Sequence, residues 1–237
     1  MLNIGGLHVV IEGSHILRNV SVAVEPGRIV SLVGRNGAGK TTLLRTIMGY
    51  RRPAGGRIEF RGHDLTALRT HAIARLGMGF APEDSGIFGD LSVAENIEIA
   101  TWSRATARPG AERVERALAV FPRLREYGAR GGTRLSGGER KMLSIARALA
   151  LDPELLLLDE PFEGLSPAII PQIREAIAAI AGLGCGILLA ESNLHHVPPE
   201  TSRLYVLERG EIIYAGSPAE VGGSPAAMGV IGGRPAR

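Results

Sequence analysis

The residues whose types and spacing could do chemistry begin with Gly34-Arg35-Asn36-Gly37-Ala38-Gly39-Lys40-Thr41-Thr42, which fits the pattern G-x-x-x-x-G-K-[ST]. Gly34, Gly37 and Gly39 let the chain curl so that successive N–H groups face inward, the arrangement that cradles phosphate oxygens. In such a loop Lys40 reaches the β- and γ-phosphates of a nucleoside triphosphate and the Thr41 hydroxyl ligates Mg²⁺. Leu155-Leu156-Leu157-Leu158-Asp159-Glu160 is an apolar run that ends in paired acids. On a parallel strand both carboxylates emerge at the ligand-binding edge of the sheet. There Asp159 would hold Mg²⁺, directly or through water, and Glu160 would take a proton from, or orient, an attacking water. Leu135-Ser136-Gly137-Gly138-Glu139 places a serine and glycines at a helix start, a second anion-seeking N-terminus. An inserted block separates it from the first loop, so one copy of the fold cannot easily aim both at one γ-phosphate. Copies packed head to tail can, each offering Ser136, Gly137 and Gly138 to the other's nucleotide. Taken alone, this last segment reads equally well as a capped helix with glycines for close packing.

These groups need elements to position them. Arg28 to Val33 is short, apolar and β-branched and reads as a buried strand entering the loop, and Thr41 to Met48 reads as the helix leaving it. Leu7–Ile11 and Val20–Val24 are too close for a helical crossover and should pair antiparallel. Arg57–Phe60 and Gly77–Phe80 read as strands, with a short helix at Thr70–Leu76. Ser92 to Tyr127 is helical, opened by a Ser92/Glu95 capping box, and its Thr101–Gly110 connection is a candidate mobile loop. After the helix at Ser136, the acidic strand, the helix Pro167–Ala181 and the strand Gly186–Ala190 continue a βαβ rhythm. Arg203–Leu207 and Glu211–Tyr214 flank Arg209-Gly210 as a hairpin, and the Gly-, Pro- and Ala-rich chain from Gly216 is expected to be loosely ordered.

Composition narrows the class. The chain of 237 residues suits one domain or one domain with a subdomain. A 45% hydrophobic and 22% charged content is that of a globular protein. No apolar run approaches the ~18–20 residues of a membrane span and no basic-then-apolar leader opens the chain, so a cytosolic protein is expected. With a formal charge of +3 and 4% aromatic residues, no basic face with stacking rings stands out, and no nucleic-acid partner is expected. The lone Cys185 excludes an internal disulfide and reads as a small core residue.

Gly34–Thr42, Leu135–Glu139 and Leu155–Glu160, in this order, resemble the nucleotide motifs of ATP-binding-cassette (ABC) transporter ATPases over about Leu2 to Ser217. Phe121-Pro122-Arg123-Leu124, Pro82-Glu83 with Gly86-Ile87-Phe88, and Phe162 to Ile170 are similar to the ATPase subunits of branched-chain amino-acid importers and their urea and amide relatives. The resemblance implies a P-loop α/β core with a parallel sheet, an antiparallel β subdomain at the N-terminus and a helical subdomain inserted at about 88–150. The cassette would span 1–217 and a tail 218–237. It implies ATP and Mg²⁺ as cofactors and a second ATPase subunit, the same or different, as partner. It also implies transmembrane permease subunits, met through Ser92–Tyr127 and the Glu83–Phe88 loop with Phe88 as anchor, and a periplasmic or extracellular solute-binding protein acting indirectly. The place of action would be the inner face of the cell membrane. Ile11 aligns with the family's adenine-stacking aromatic, Glu83 with a metal-ligating glutamine, Ser166 with an aspartate, and Ser192 with a histidine that touches the γ-phosphate. Other readings of these motifs are a non-catalytic ATP-binding assembly or regulatory partner and a soluble cassette ATPase of ribosomes or nucleic acid. The latter generally carries paired cassettes or a long coiled-coil insertion, and this sequence has neither.

Overall fold

The computed structural model describes residues 1–231. β1 (Leu2–Ile11) and β2 (Ser14–Val24) alternate buried and exposed residues, as strands with one face on a core do, and pair antiparallel. Both begin well before the apolar runs that revealed them. β3 (Ile29–Val33) is buried throughout and leads through the glycine-rich loop into α1 (Lys40–Ile47). β4 (Gly55–Phe60) and the short β5 (His63–Asp64), which has no apolar pattern to betray it, complete a sheet of order β2-β1-β4-β5. Next come α2 (Thr70–Arg75), β6 (Met78–Ala81), and the helical block α3 (Val93–Thr101), α4 (Gly110–Val120), α5 (Arg123–Glu126) and α6 (Gly137–Ala150). β7 (Leu155–Asp159), α7 (Ile170–Gly182), β8 (Gly186–Glu191), β9 (Thr201–Glu208), β10 (Glu211–Gly216) and α8 (Pro225–Ile231) follow. β9 and β10 are the expected hairpin, and its turn residues Arg209 and Gly210 both take positive φ, as a two-residue turn of matching twist requires.

The second sheet has the order β10-β9-β3-β8-β7-β6, with β9, β3, β8, β7 and β6 parallel. Successive residues of β7 feed opposite cores, because strand side chains alternate between faces. Leu155 and Leu157 join Leu43, Leu44 and Ile47 of α1 and the antiparallel sheet; Leu156 and Leu158 join Met142 and Ile145 of α6 and Ile173 and Ile177 of α7. Covered on both faces, β3, β7 and β8 carry no exposed residue. Their parallel register sets the carboxyl ends of β3 and β7 on either side of β8, and the loop after β3 faces the acids that end β7.

Two expectations need correction. The Thr101–Gly110 connection, read as mobile, is pinned by arginines. Arg104 donates to the carbonyl of Arg75 (3.1 Å) and to Glu154 (3.1 Å), Arg108 pairs with Asp152 (2.7 Å), and Arg113, buried, donates to the Arg104 carbonyl (3.1 Å). Charged side chains suggest solvation in a sequence, but a guanidinium is a five-donor fork that can tie a loop through its carbonyls. The chain after Gly216, read as loosely ordered, folds into a 3₁₀ turn at Pro218–Gly223 and α8. Val221, Ala227 and Val230 are buried there against Val33, Leu204 and Val206. These few apolar residues cover one face of β3 and β9 despite a composition that hides them. Residues 232–237 of the predicted tail lie outside the described residues.

Candidate active site

The glycine-rich loop is shaped by close approaches. A Cβ on Gly34 would sit 2.3 Å from the Leu207 carbonyl oxygen, so β3 can leave the sheet here only as glycine. Gly39 takes φ 111° beneath Leu17 and is the N-cap of α1. No side chain caps α1, so its first N–H groups and the positive end of its dipole stay open to an anion. Asn36, Gly37, Gly39, Lys40, Thr41 and Thr42 line a cavity of about 460 Å³ together with Ile16, Glu83, Glu160 and Glu163. Ala38 is buried beneath it.

Lys40 is 4% exposed, and its ammonium donates to the Gly34 carbonyl (2.7 Å) and pairs with Glu160 Oε1 (3.0 Å). The Thr41 hydroxyl donates to Asp159 Oδ1 (3.2 Å). Burial first, then the Glu83 and Glu160 carboxylates, push the Asp159 carboxyl up to about 6, against the Thr41 hydrogen bond. Glu163 is also raised, first by its hydrogen bond with Glu160. Glu160 itself stands at φ 46°, a conformation that side chains avoid and that marks strained sites.

The acids fit a divalent cation. Among the described residues the buried Asp159 Oδ2 has no hydrogen-bond partner, an arrangement that is expensive unless something positive completes it. A hydroxyl and carboxylates are the hard oxygen ligands that Mg²⁺ prefers, with water and phosphate oxygens filling the rest of its shell. Thr41, Asp159 and Glu83 are therefore the residues that would hold it.

The structure thus gathers Asn36 to Thr42, Glu83, Asp159 and Glu160. It leaves out Ile11, which is half-buried against the core while Ile16 takes the place on the cavity wall. It also leaves out Ser192, half-buried beyond the end of β8 and not on that wall. Ser136 and Gly137 stand exposed at the start of α6, off the phosphate-loop cavity and beside an adjoining recess lined by Gly137, Lys141 and Gly164 that shares Glu83 and Glu163 with it. The Ser136 hydroxyl accepts from the Glu139 N–H (3.3 Å) in a full capping box, which leaves its own proton free to donate outward.

The sequence reading missed Ile16, Glu163, Lys141 and Glu191. Lys141, 5% exposed, donates to the Glu83 carbonyl (2.7 Å) and holds that loop against α6. Burial lowers its pKa, against the nearby carboxylates led by Glu83. Glu163 could have been suspected from its spacing after Asp159-Glu160. Nothing in the sequence marks Lys141 or Glu191.

A buried lysine on a glycine-rich loop, paired acids at the neighbouring strand end and an exposed glycine-flanked helix start together describe a nucleoside-triphosphatase. The family model described as ABC transporter matches residues 17–163, more than half of the chain. The chain belongs to the ABC transporter family. It is 42% identical over 199 residues to the high-affinity branched-chain amino acid transport ATP-binding protein BraG of Pseudomonas aeruginosa, covering 83% of this chain and 84% of BraG. It is 38% identical over 212 residues to the lipopolysaccharide export system ATP-binding protein LptB of Acidithiobacillus ferridurans, covering 89% and 87%. Among solved structures, an ATP-binding subunit of an ABC transporter superposes with a TM-score of 0.84 at 25% identity, over 98% of this chain and 95% of that one. This ABC ATPase therefore binds ATP and couples its hydrolysis to transport, working with permease subunits and as a dimer.

In this ABC ATPase Ser192 follows Glu191 just beyond the end of β8, where an imidazole would extend farther than its hydroxyl. Replacement Ser192→His is expected to raise steady-state ATP turnover by up to about 100-fold, the low end of what one well-placed donor to developing charge supplies. An unchanged or lower rate in a phosphate-release assay would remove Ser192 from the catalytic set.

Proposed function

We propose that this protein is the ATPase subunit of an importer for branched-chain amino acids or related small polar or amino compounds, acting at the inner face of the cell membrane. The observation that carries the import reading is the similarity to BraG over most of both chains, together with the importer-like segments Phe121–Leu124 and Phe162–Ile170. The comparable similarity to LptB supports a second reading, an export system, and the ATPase does not touch cargo in either case.

In this reading Asn36 to Thr42 bind the triphosphate, Lys40 neutralises the β- and γ-phosphates, and Glu160 polarises the attacking water. Mg²⁺ on Thr41, Asp159 and Glu83 would neutralise charge developing on the transferred phosphoryl group. Ser136, Gly137 and Gly138 meet the nucleotide of the partner ATPase, whether a second copy or a related chain. The exposure of Ser136 and Gly137, off the wall of their own phosphate-loop cavity, supports that assignment. The helical block Ser92–Tyr127 and the Glu83–Phe88 loop take the permease. Phe88 is 49% exposed yet held in place: its N–H and carbonyl bond the Asn96 amide (2.9 Å each) and Arg147 lies over its ring at 5.1 Å. It borders a groove of about 810 Å³ shared with Tyr50, Phe80 and Arg147.

The test is purification of the native membrane complex and identification of its components. A permease and solute-binding protein whose complex hydrolyses ATP faster on adding leucine, isoleucine or valine is the expected result. Recovery of lipid-export components, or indifference to amino acids, would overturn the import reading while leaving the ATPase in place.

A further inference from the structure

Glu191, the last residue of β8, is fully buried, and the roles assigned so far do not use its side chain. Both of its carboxylate oxygens are bound: Oε1 accepts from the Phe162 N–H (3.1 Å) and Oε2 contacts His196 Nδ1 (3.1 Å). Its main-chain carbonyl accepts from the Gly34 N–H (3.1 Å) at the start of the phosphate loop. The carbonyl of its neighbour Ala190 accepts from the Glu160 N–H (2.9 Å). Glu191 therefore grips the phosphate loop by its backbone and the segment after Glu160 by its side chain.

Glu160 needs such a grip. Its φ of 46° persists only if surrounding bonds over-determine it. Lys40 of α1 pairs with the Glu160 side chain, but among the described residues the bond from Phe162 is the one that a side chain from another element makes with the backbone of this turn. The Phe162 ring is 1% exposed and lies 5.7 Å from the His196 ring, which in turn steadies the Glu191 carboxylate. A buried carboxylate is a costly way to hold a backbone N–H, so its presence beside the nucleotide calls for a role beyond packing.

We propose that Glu191 is a positioning residue for ATP hydrolysis: it fixes the Glu160 turn through the Phe162 N–H, so that the Glu160 carboxylate is aimed at the γ-phosphate end of the cavity. The proposal rests on the reading of Glu160 as the group that acts on water. It separates catalysis from binding, because substitution of the side chain leaves the bond from Gly34 to the Glu191 carbonyl intact.

Two variants distinguish reach from charge. Glu191→Asp keeps the charge but falls one methylene short of Phe162. Glu191→Gln loses the charge but keeps the acceptor for Phe162, and its amide can donate to His196. Glu191→Asp is expected to lower kcat by about tenfold or more with the Kd for ATP held within about threefold, and Glu191→Gln to recover most of that loss. Equal turnover of the two variants at any level, or a Kd that weakens in step with kcat, overturns the proposal. Glu160→Gln assayed alongside separates the premise: wild-type turnover in that protein would sink the assignment of Glu160, whatever the Glu191 pair does.

Discussion

Replacing Lys40 by alanine is expected to abolish nucleotide binding, with ATP affinity falling by about 100-fold or more as a buried charge-assisted contact to the phosphates is lost. Lys40 is buried on the cavity wall, and its ammonium is held there by the Gly34 carbonyl and by Glu160. Without it, the loop's backbone donors and the α1 dipole still face the triphosphate, but Glu83, Glu160 and Glu163 repel it unopposed. The same change leaves Glu160 buried without its cation, which costs on the order of 3–5 kcal/mol of stability. Binding loss and unfolding must therefore be told apart. The double variant Lys40→Ala/Glu160→Gln removes both charges, and is expected to recover the melting temperature without recovering affinity. Isothermal titration with ATP on both proteins reads the first effect and thermal melting the second. Retained ATP affinity in Lys40→Ala would contradict the role of this lysine.

Glu160→Gln is expected to lower ATP turnover by about 100-fold or more while ATP still binds, since general-base catalysis of this kind contributes 10²–10⁴. The amide keeps the shape of the carboxylate but cannot take a proton. It also removes a negative charge beside the γ-phosphate and releases Lys40 from its 3.0 Å ion pair, so ATP affinity should hold or rise. Bound ATP that is not consumed should then hold the paired state, with Ser136 to Gly138 of each protomer closed over the other's nucleotide. Gel filtration with ATP and Mg²⁺ should show a dimer for Glu160→Gln and a shorter-lived one for the wild type. If wild type and variant are equally silent in hydrolysis yet both dimerise on ATP, the chain is a nucleotide-binding partner and not the motor.

The sequence by itself determined the elements that bind phosphate. A glycine-rich turn between a buried strand and a helix has one local geometry, so Gly34 to Thr42 could be placed on strand, turn and helix without any long-range information. Asp159-Glu160 at the end of an apolar run was equally legible, because the carboxyl end of a parallel strand is where a sheet presents its ligands. The Ser136 cap and the Arg209-Gly210 turn were likewise local, each encoded within a few residues.

Tertiary structure alone decided what long-range contacts control. Only the strand order shows that β8 lies between β3 and β7, which turns the unremarked Glu191 into the link between the phosphate loop and the Glu160 turn. Lys141 reads as one polar residue on a helix until α6 packs under the Glu83 carbonyl. Ile16 and not Ile11 stands on the cavity wall, because that wall depends on how β2 crosses the loop and not on spacing within the strand. Arg104 and the α8 residues misled for the opposite reason: charge and small residues predict solvent, yet their partners, the Asp152 region and the face of β3 and β9, are distant in sequence. Local chemistry is written in adjacent residues, whereas burial and pairing across the fold depend on which distant residue arrives.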